Sequence, residues 1–192
     1  MRVELPRRGL MHAALLCISS TPLYTGAMDD TACGGALVLD TANYLPADDL
    51  ARLERILKKG QEQTGISIRV LTRSRASEEW TYDANSIRCK LGIDAANRDS
   101  SIILTADRGI SGALEAGSSF LSFQIGRSLQ VPLPDVFFAR LVQEYGRRKF
   151  VEARGEAASI VTAVEIILTC LRSEEGFCTS VPPPCLTRGC IT

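Results

Sequence analysis

The chain has 192 residues, with 22 lysine and arginine side chains, 22 aspartate and glutamate side chains and a single histidine, His12. A formal net charge of zero and an apolar content of 45% indicate one folded domain with a real hydrophobic core. This balance excludes nucleic-acid binding and attachment to an anionic membrane surface, because both require a concentrated basic face. Arg147–Lys149 forms a short basic run, for which a solvated helix end is the simpler explanation.

Residues 1–27 have the order of an export signal. Arg7 and Arg8 precede a short apolar run, Leu10–Ile18, and small residues follow at Thr25–Ala27. That order is typical of a cleaved signal peptide. The apolar run is about half of the ~20 residues that span a bilayer, so we expect no membrane span in the mature chain. The alternative interpretation is an amphipathic helix that belongs to the fold.

Cleavage near Ala27 would remove the histidine and leave few options for catalysis. The predicted signal holds three of the 22 basic and one of the 22 acidic side chains, which leaves 19 and 21 and a net charge of −2. Without histidine, Ser-His-Asp and Cys-His catalysis are excluded, as is every histidine-containing metal site. Any chemistry then depends on carboxylates, hydroxyls, arginines or cysteines.

The first predicted elements are a helix and a strand. Pro46 opens the helix and Thr64–Gly65 ends it. Apolar side chains recur along it at the spacing of one helical face: Leu50, Leu53, Ile56 and Leu57. Ile66–Thr72 alternates between apolar and polar side chains and is rich in β-branched residues, which predicts a half-buried strand.

A central strand is predicted in the middle of the chain. Ser101–Ala106 is a continuous apolar run, the pattern of a strand covered on both faces. Before it, a second short helix lying on the sheet is predicted from Trp80, Tyr82, Ile87 and Leu91. After it, a turn is predicted at Asp107–Gly109, and Ala113–Ala116 is a candidate third strand.

Two further helices are predicted. Pro134–Asp135 opens the first, whose apolar side places Phe137, Phe138, Leu141, Val142 and Tyr145 together before Gly146. Glu156–Leu171 is predicted as the longest helix. An extended tail follows, and residues 183–192 are expected to be poorly ordered.

Strands separated by helices predict an α/β fold. We expect one domain over residues 34–182, a three-layer α/β/α sandwich with a small mixed sheet and helices on both faces. The predicted strands at residues 66–71 and 102–105 lie side by side in it. The residues expected in its core are Ile68, Val70, Ile103, Leu141, Val164 and Leu168.

Six cysteines remain beyond the predicted signal: Cys33, Cys89, Cys170, Cys178, Cys185 and Cys190. An even number in an exported chain favours disulfides. Cys170 and Cys178 are the expected pair, closing a small loop at the end of a helix, and free buried thiols are the alternative. Cys89 lies between Arg88 and Lys90, which would favour a reactive thiolate, but we expect it to be bridged.

Four carboxylates are candidates for a functional site. Asp40 follows the apolar stretch Ala36–Leu39 and Asp107 follows the central strand, at positions where ligands of open α/β sheets bind. Asp94 and Asp99 flank the start of the central strand. An aspartate nucleophile would come from Asp40, Asp99 or Asp107, and a Ca²⁺ or Mg²⁺ ion would be held by Asp40, Asp94 or Asp107. The alternative is that Asp40 and Asp107 are turn residues that accept nearby backbone N–H groups.

Four segments resemble the TPM domain family. They are VLDTANYLPADDLARLERILKKGQEQTGISIRVLT at residues 38–72, RDSSIILT at 98–105, IGRSLQVPLPDVFFARLVQEYG at 125–146 and AVEIILTCLRSEEGFCTSVP at 163–182. The family groups a thylakoid-lumen acid phosphatase, a photosystem II repair protein and an animal receptor modulator, and the resemblance covers about residues 37–182. It implies an exported protein of the thylakoid lumen, with a bacterial periplasmic or secreted protein as the alternative.

The resemblance further implies a protein that binds photosystem subunits, or another thylakoid membrane complex on the lumenal side, and supports its assembly, stability or repair. The chain departs from the family pattern at Lys90–Leu91, where many members have a tryptophan, and at Asp107–Gly112, where they have a glycine-rich turn. Both departures fall in loops expected to face a ligand, so we expect no turnover and no resident cofactor. A weak acid phosphatase that uses aspartates, with or without a divalent cation, is the alternative.

Overall fold

Four strands form one sheet in the order β1-β2-β3-β4 in the computed structural model, which describes residues 34–74, 84–109, 114, 118–173, 178 and 180–182. The strands are β1 (Val38–Asp40), β2 (Ser67–Arg73), β3 (Ser101–Asp107) and β4 (Leu121–Ile125). The first three strands are parallel and β4 is antiparallel to β3. The sheet is therefore mixed, as expected from the sequence.

Five helices lie in the described part of the chain. They are α1 (Ala47–Thr64), α2 (Ala84–Lys90), α3 (Asp135–Tyr145), α4 (Arg148–Arg154) and α5 (Glu156–Leu171), with single 3-10 turns at Arg98–Ser100 and Arg127–Leu129. No helix in these residues is long and apolar enough to cross a membrane.

Helix α1 confirms the prediction made from its ends and its spacing. Asp48 and Asp49 lie in its first turn, where the helix dipole favours negative charge. Gly65 closes it at φ +71°, a left-handed conformation that glycine adopts without strain, and donates its N–H to the Gln61 carbonyl at 2.9 Å. With 18 residues α1 is longer than α5, which has 16, so the expectation that α5 is the longest helix was wrong.

Strand β2 is buried on both faces, whereas its alternating pattern predicted a half-buried strand. It lies between β1 and β3, and Arg69 is only 7% exposed. The Arg69 guanidinium donates to the Leu91 carbonyl at 2.9 Å and to Gln61 Oε1 at 3.1 Å, and burial lowers its pKa. A polar side chain is tolerated here because the fold supplies these acceptors.

Strand β4 was not predicted. β4 is the outermost strand on its side of the sheet. Its residues alternate between exposed and covered positions, as in an antiparallel strand with one face in solvent. The candidate strand at Ala113–Ala116 falls mostly outside the described residues, and Leu114 lies outside every named strand. The basic run at residues 147–149 is exposed at the start of α4, so it lies at a solvated helix end as expected, although this is the amino end of the helix.

Helices cover both faces of the sheet, but unequally. One large core joins α1, α3, α4 and α5 to one face, where it includes Ile68, Val70 and Leu104. On the opposite face Leu91, Ile93 and Ile103 form a small cluster against which Ile87 of α2 packs. The α/β fold with helices on both faces is thus confirmed, and all six predicted core residues are buried.

Several predictions from the sequence lie outside the described residues. These are the export signal at residues 1–27, the aromatic pair Trp80 and Tyr82, and the tail at 183–192. They stay predictions. The short helix expected near Ile87 is present as α2.

The disulfide between Cys170 and Cys178 is formed, with a Cα–Cα distance of 5.9 Å, as predicted. It joins the last turn of α5 to a segment whose Cys178 N–H donates to the Pro132 carbonyl at 3.1 Å. Cys89 is disulfide-bonded as well, which rules out a free reactive thiol there. The structure therefore fits a protein that folds in an oxidising compartment.

Replacing both Cys170 and Cys178 with serine should lower the free energy of unfolding by about 2–3 kcal/mol, because the bridge restricts a short loop in the unfolded chain. The measurement is denaturant unfolding of oxidised protein, which leaves the Cys89 bridge intact in both samples. An unchanged unfolding midpoint, or free thiols at both positions of the non-reduced wild type, would contradict the assignment.

Candidate functional site

The carboxyl ends of β1, β2 and β3 lie at one edge of the sheet, called the carboxyl edge here. Asp40 pairs with Thr72 in the register of β1 and β2, and Arg73 pairs with Asp107 in the register of β2 and β3. Two of the four candidate carboxylates, Asp40 and Asp107, therefore share this edge with Thr72 and Arg73 between them. Ligands of parallel α/β sheets bind at this edge.

Asp40 organises the turn between β1 and α1. Its Oδ1 accepts the Tyr44 backbone N–H at 3.1 Å and its Oδ2 accepts that of Leu45 at 3.0 Å. The Thr72 hydroxyl also donates to Oδ1. The same hydroxyl accepts the Ala42 N–H at 3.1 Å. Asp40 thus holds the turn closed and ties it to β2, which is the alternative that the sequence left open for this residue.

Asp107 ends β3 and makes an ion pair across the strands. Its Oδ2 accepts from Arg73 Nε at 2.8 Å, and its Oδ1 accepts the Gly109 N–H at 2.8 Å. The side chains of Arg73 and Asp107 are 29% and 12% exposed. This pair is half-buried and joined by a charge-assisted hydrogen bond, which makes it stronger than an exposed ion pair.

Tyr44 lies beside this pair at the carboxyl edge. Its hydroxyl donates to the Arg73 carbonyl at 3.4 Å, and its ring packs on that of Phe120 with 5.6 Å between centroids. Burial, the main cause, raises the pKa of Tyr44, so the phenol stays protonated near neutral pH. Arg108, the next residue after Asp107, pairs with Glu156 at the start of α5.

The hydrogen bonds at this edge decide what its carboxylates can do. Each oxygen of Asp40 and Asp107 already accepts from a backbone N–H, a hydroxyl or a guanidinium. A nucleophilic carboxylate or a cation ligand would have to compete with these donors. The described residues hold no cluster of three or more acidic, cysteine or histidine side chains suited to a metal ion.

Asp94 and Asp99 lie at the opposite edge of the sheet, at the amino end of β3. Asp94 Oδ1 accepts the backbone N–H groups of Ala96 and Asn97 at 2.9 and 3.0 Å, and Asp99 is exposed in the 3-10 turn before β3. The seven residues of β3 separate the two edges by about 20 Å. The structure therefore brings Asp40 and Asp107 to one edge and leaves Asp94 and Asp99 at the other.

Thr72, Arg73 and Tyr44 belong to the carboxyl edge but were not singled out from the sequence. A signal was present for two of them, because Thr72 ends a predicted strand and Arg73 follows it, just as Asp40 follows an apolar stretch. Their importance depends on the parallel register of β1, β2 and β3, which a single sequence does not reveal. Tyr44 has no such signal, since its neighbour Phe120 lies 76 positions further along the chain.

The family model described as the TPM domain matches residues 38–167, about two thirds of the chain. The chain is 26% identical over 146 residues to the thylakoid lumenal 15.0 kDa protein 2, chloroplastic, of Arabidopsis thaliana. That match covers 72% of this chain and 56% of the relative, so the chain spans little more than half of the relative's length.

A solved structure shares the fold. It is the N-terminal domain of a protein from P. gingivalis, determined by solution NMR, which superposes with a TM-score of 0.55 at 17% identity. The superposition covers 74% of this chain and 85% of that domain. At this level of identity the similarity concerns the α/β architecture alone.

Proposed function

The chain belongs to the TPM domain family, and from this premise we propose that it acts in the thylakoid lumen by binding a photosynthetic complex. In this role it supports the assembly, stability or repair of photosystem subunits, or of another thylakoid membrane complex, on the lumenal side. The compartment is supported by the name of the Arabidopsis relative, a thylakoid lumenal protein, and by the disulfides of the described region.

The observation that carries a binding role is the engagement of Asp40 and Asp107 in structural hydrogen bonds. Asp40 closes the turn into α1, and Asp107 pairs with Arg73. Residues that hold backbone turns and cross-strand pairs contribute to folding, and a nucleophile must instead leave an oxygen open to the substrate. The carboxyl edge therefore serves better as a rigid docking surface than as a catalytic centre.

One observation favours the second candidate, a weak acid phosphatase. Asp40 and Asp107 do lie at the same edge of the sheet, with the Tyr44 phenol and the Arg73 guanidinium beside them. In such a pair the guanidinium can bind the phosphate of a phosphomonoester and the carboxylate can act as the nucleophile. An activity assay separates the two candidates.

Under the binding proposal, hydrolysis of a generic phosphomonoester should stay at background for the wild type and for Asp40→Asn, with EDTA, Ca²⁺ or Mg²⁺ present. Asp48→Asn is the matched control, because it removes the same charge from an exposed position in the first turn of α1. Loss of one charge-assisted hydrogen bond should cost Asp40→Asn about 1–3 kcal/mol of stability. Turnover by the wild type and Asp48→Asn but not by Asp40→Asn would establish the phosphatase instead.

The binding role is tested with isolated thylakoid complexes. Labelled mature protein is expected to co-sediment saturably with photosystem II or another purified complex, and unlabelled protein should displace it. Photosystem II and photosystem I are assayed separately, so that a difference in saturable binding between them identifies the partner. Absence of saturable, displaceable binding to every complex would contradict the proposal.

A further inference from the structure

A cavity lined by arginines lies away from the carboxyl edge, at the amino end of β3. It has a volume of about 180 Å³, and Arg88 of α2 and the exposed Arg98 and Arg127 of the two 3-10 turns line it. We call it the arginine cavity. A second cavity of about 420 Å³ adjoins it and shares Arg88, Ile93 and Arg98. A single water needs only about 10–15 Å³, so the arginine cavity has room for a polyatomic ion.

The arginine cavity carries positive charge that the ion pairs of the described residues do not balance. Arg88 donates to Gln124 Oε1 at 3.4 Å, a neutral acceptor. No ion pair within the described residues includes Arg88, Arg98 or Arg127. One carboxylate, Asp99, lines the cavity beside these three guanidiniums. Like charges gathered in this way repel one another, and an anion bound among them would relieve that repulsion.

The two turns that carry Arg98 and Arg127 are joined by one backbone hydrogen bond and one side-chain hydrogen bond. Gly126 donates its N–H to the Ser101 carbonyl at 2.8 Å, and the Ser128 hydroxyl donates to the Asp99 carbonyl at 2.5 Å. Gly126 is buried against the backbone of Asp99. These contacts fix the relative position of the two turns, so the arginines start from a preorganised backbone.

We propose that the arginine cavity is an oxyanion site that binds a phosphate group. Guanidinium groups donate pairs of parallel N–H bonds that match phosphate oxygens, and a phosphate monoester near neutral pH carries about −1.5 to −2 charges. Three guanidiniums with one carboxylate leave a local charge of about +2, which a phosphate dianion neutralises and a single carboxylate would not. The Gln124 amide nitrogen is a further donor in the lining.

This site is independent of the proposed function. It lies on the α2 face of the sheet, where Ile103 and Ile93 form its apolar wall. Asp40 and Asp107 are at the opposite edge, about 20 Å away along β3. Binding of phosphate here and binding of a photosynthetic complex can therefore succeed or fail separately.

Titration of the mature protein with inorganic phosphate, followed by amide chemical shifts and calorimetry, tests the proposal. We expect saturable binding whose shifted signals cluster at residues 98–101 and 124–127. Arg98→Ala and Arg127→Ala should each weaken binding at least tenfold, as expected for loss of a charge-assisted hydrogen bond. Arg98→Lys keeps the charge but loses the paired geometry, and it should restore affinity only in part.

Arg55→Ala is the matched control, because it removes the same charge from an exposed position on α1, across the sheet, and it should leave affinity unchanged. Affinity for inorganic phosphate should rise between about pH 6 and pH 8, as it loses its second proton near pH 7, and affinity for glycerol phosphate should rise about one pH unit lower, because a phosphate monoester loses its second proton near pH 6. Glycerol phosphate, titrated in parallel, distinguishes a phosphorylated small molecule from free phosphate by which of the two binds more tightly. Absence of saturable binding by the wild type, or equal weakening by Arg55→Ala, would overturn the proposal.

Discussion

Leu104→Asp should leave the protein unfolded at room temperature. Leu104 is fully buried in the large core beneath α1, α3 and α5. Loss of the leucine side chain alone costs about 2–5 kcal/mol, and burial of an unpaired carboxylate costs several kcal/mol more. The sum is comparable to the roughly 5–15 kcal/mol by which a typical domain is stable. Far-UV circular dichroism and a thermal melt measure the effect.

Ile103→Asp is the matched control, since it introduces the same side chain one residue earlier in β3. From the sequence, this substitution is expected to prevent folding as well. The structure changes that expectation, because Ile103 faces the α2 side and borders the arginine cavity. The carboxylate of an aspartate at this position would border the cavity that the guanidiniums line, so the loss of stability should be clearly smaller than for Leu104→Asp. Equal melting temperatures for Leu104→Asp and the wild type would contradict the placement of Leu104 in the core.

Gly126→Ala should destabilise the protein by about 3 kcal/mol, the upper end of the range for overpacking. A Cβ at this position would lie 2.5 Å from the Asp99 carbonyl carbon and 2.6 Å from the Arg98 oxygen. Both atoms belong to backbone, which cannot rotate away as a side chain can. The two 3-10 turns would have to separate, so phosphate affinity at the arginine cavity should fall together with the free energy of unfolding.

Gly35→Ala provides the comparison for this substitution. A Cβ at Gly35 would meet no atom within 4 Å, and stability should stay within about 0.5 kcal/mol of the wild type. Denaturant unfolding of both variants measures the difference. If Gly126→Ala unfolds at the wild-type midpoint, the close approach of the two turns is not present in solution.

Local patterns were sufficient to predict much of the fold. The bounds of α3 and α5 and the burial of β3 followed from apolar spacing, from Pro134 and from the SIILTA run. The pairing of Cys170 with Cys178 was predictable because a short loop after a helix keeps its ends close. Each of these features depends on residues near one another in the chain.

Other features depend on contacts between distant residues. The burial of Arg69 requires Leu91 and Gln61 to supply acceptors. β4 is a strand because it pairs with β3, and its own sequence, LSFQI, is too short to predict one.

The candidate site shows the same division. The sequence was enough to identify Asp40, Asp94, Asp99 and Asp107 as carboxylates next to strands, and to propose a turn role for Asp40. Only the tertiary structure showed that these carboxylates lie at two opposite edges of the sheet and that Arg73 pairs with Asp107. It also brought Arg88, Arg98 and Arg127 together around one cavity. The physical reason is that helix and strand periodicity is encoded over a few residues, whereas strand register and the meeting of loops arise from packing across the whole chain.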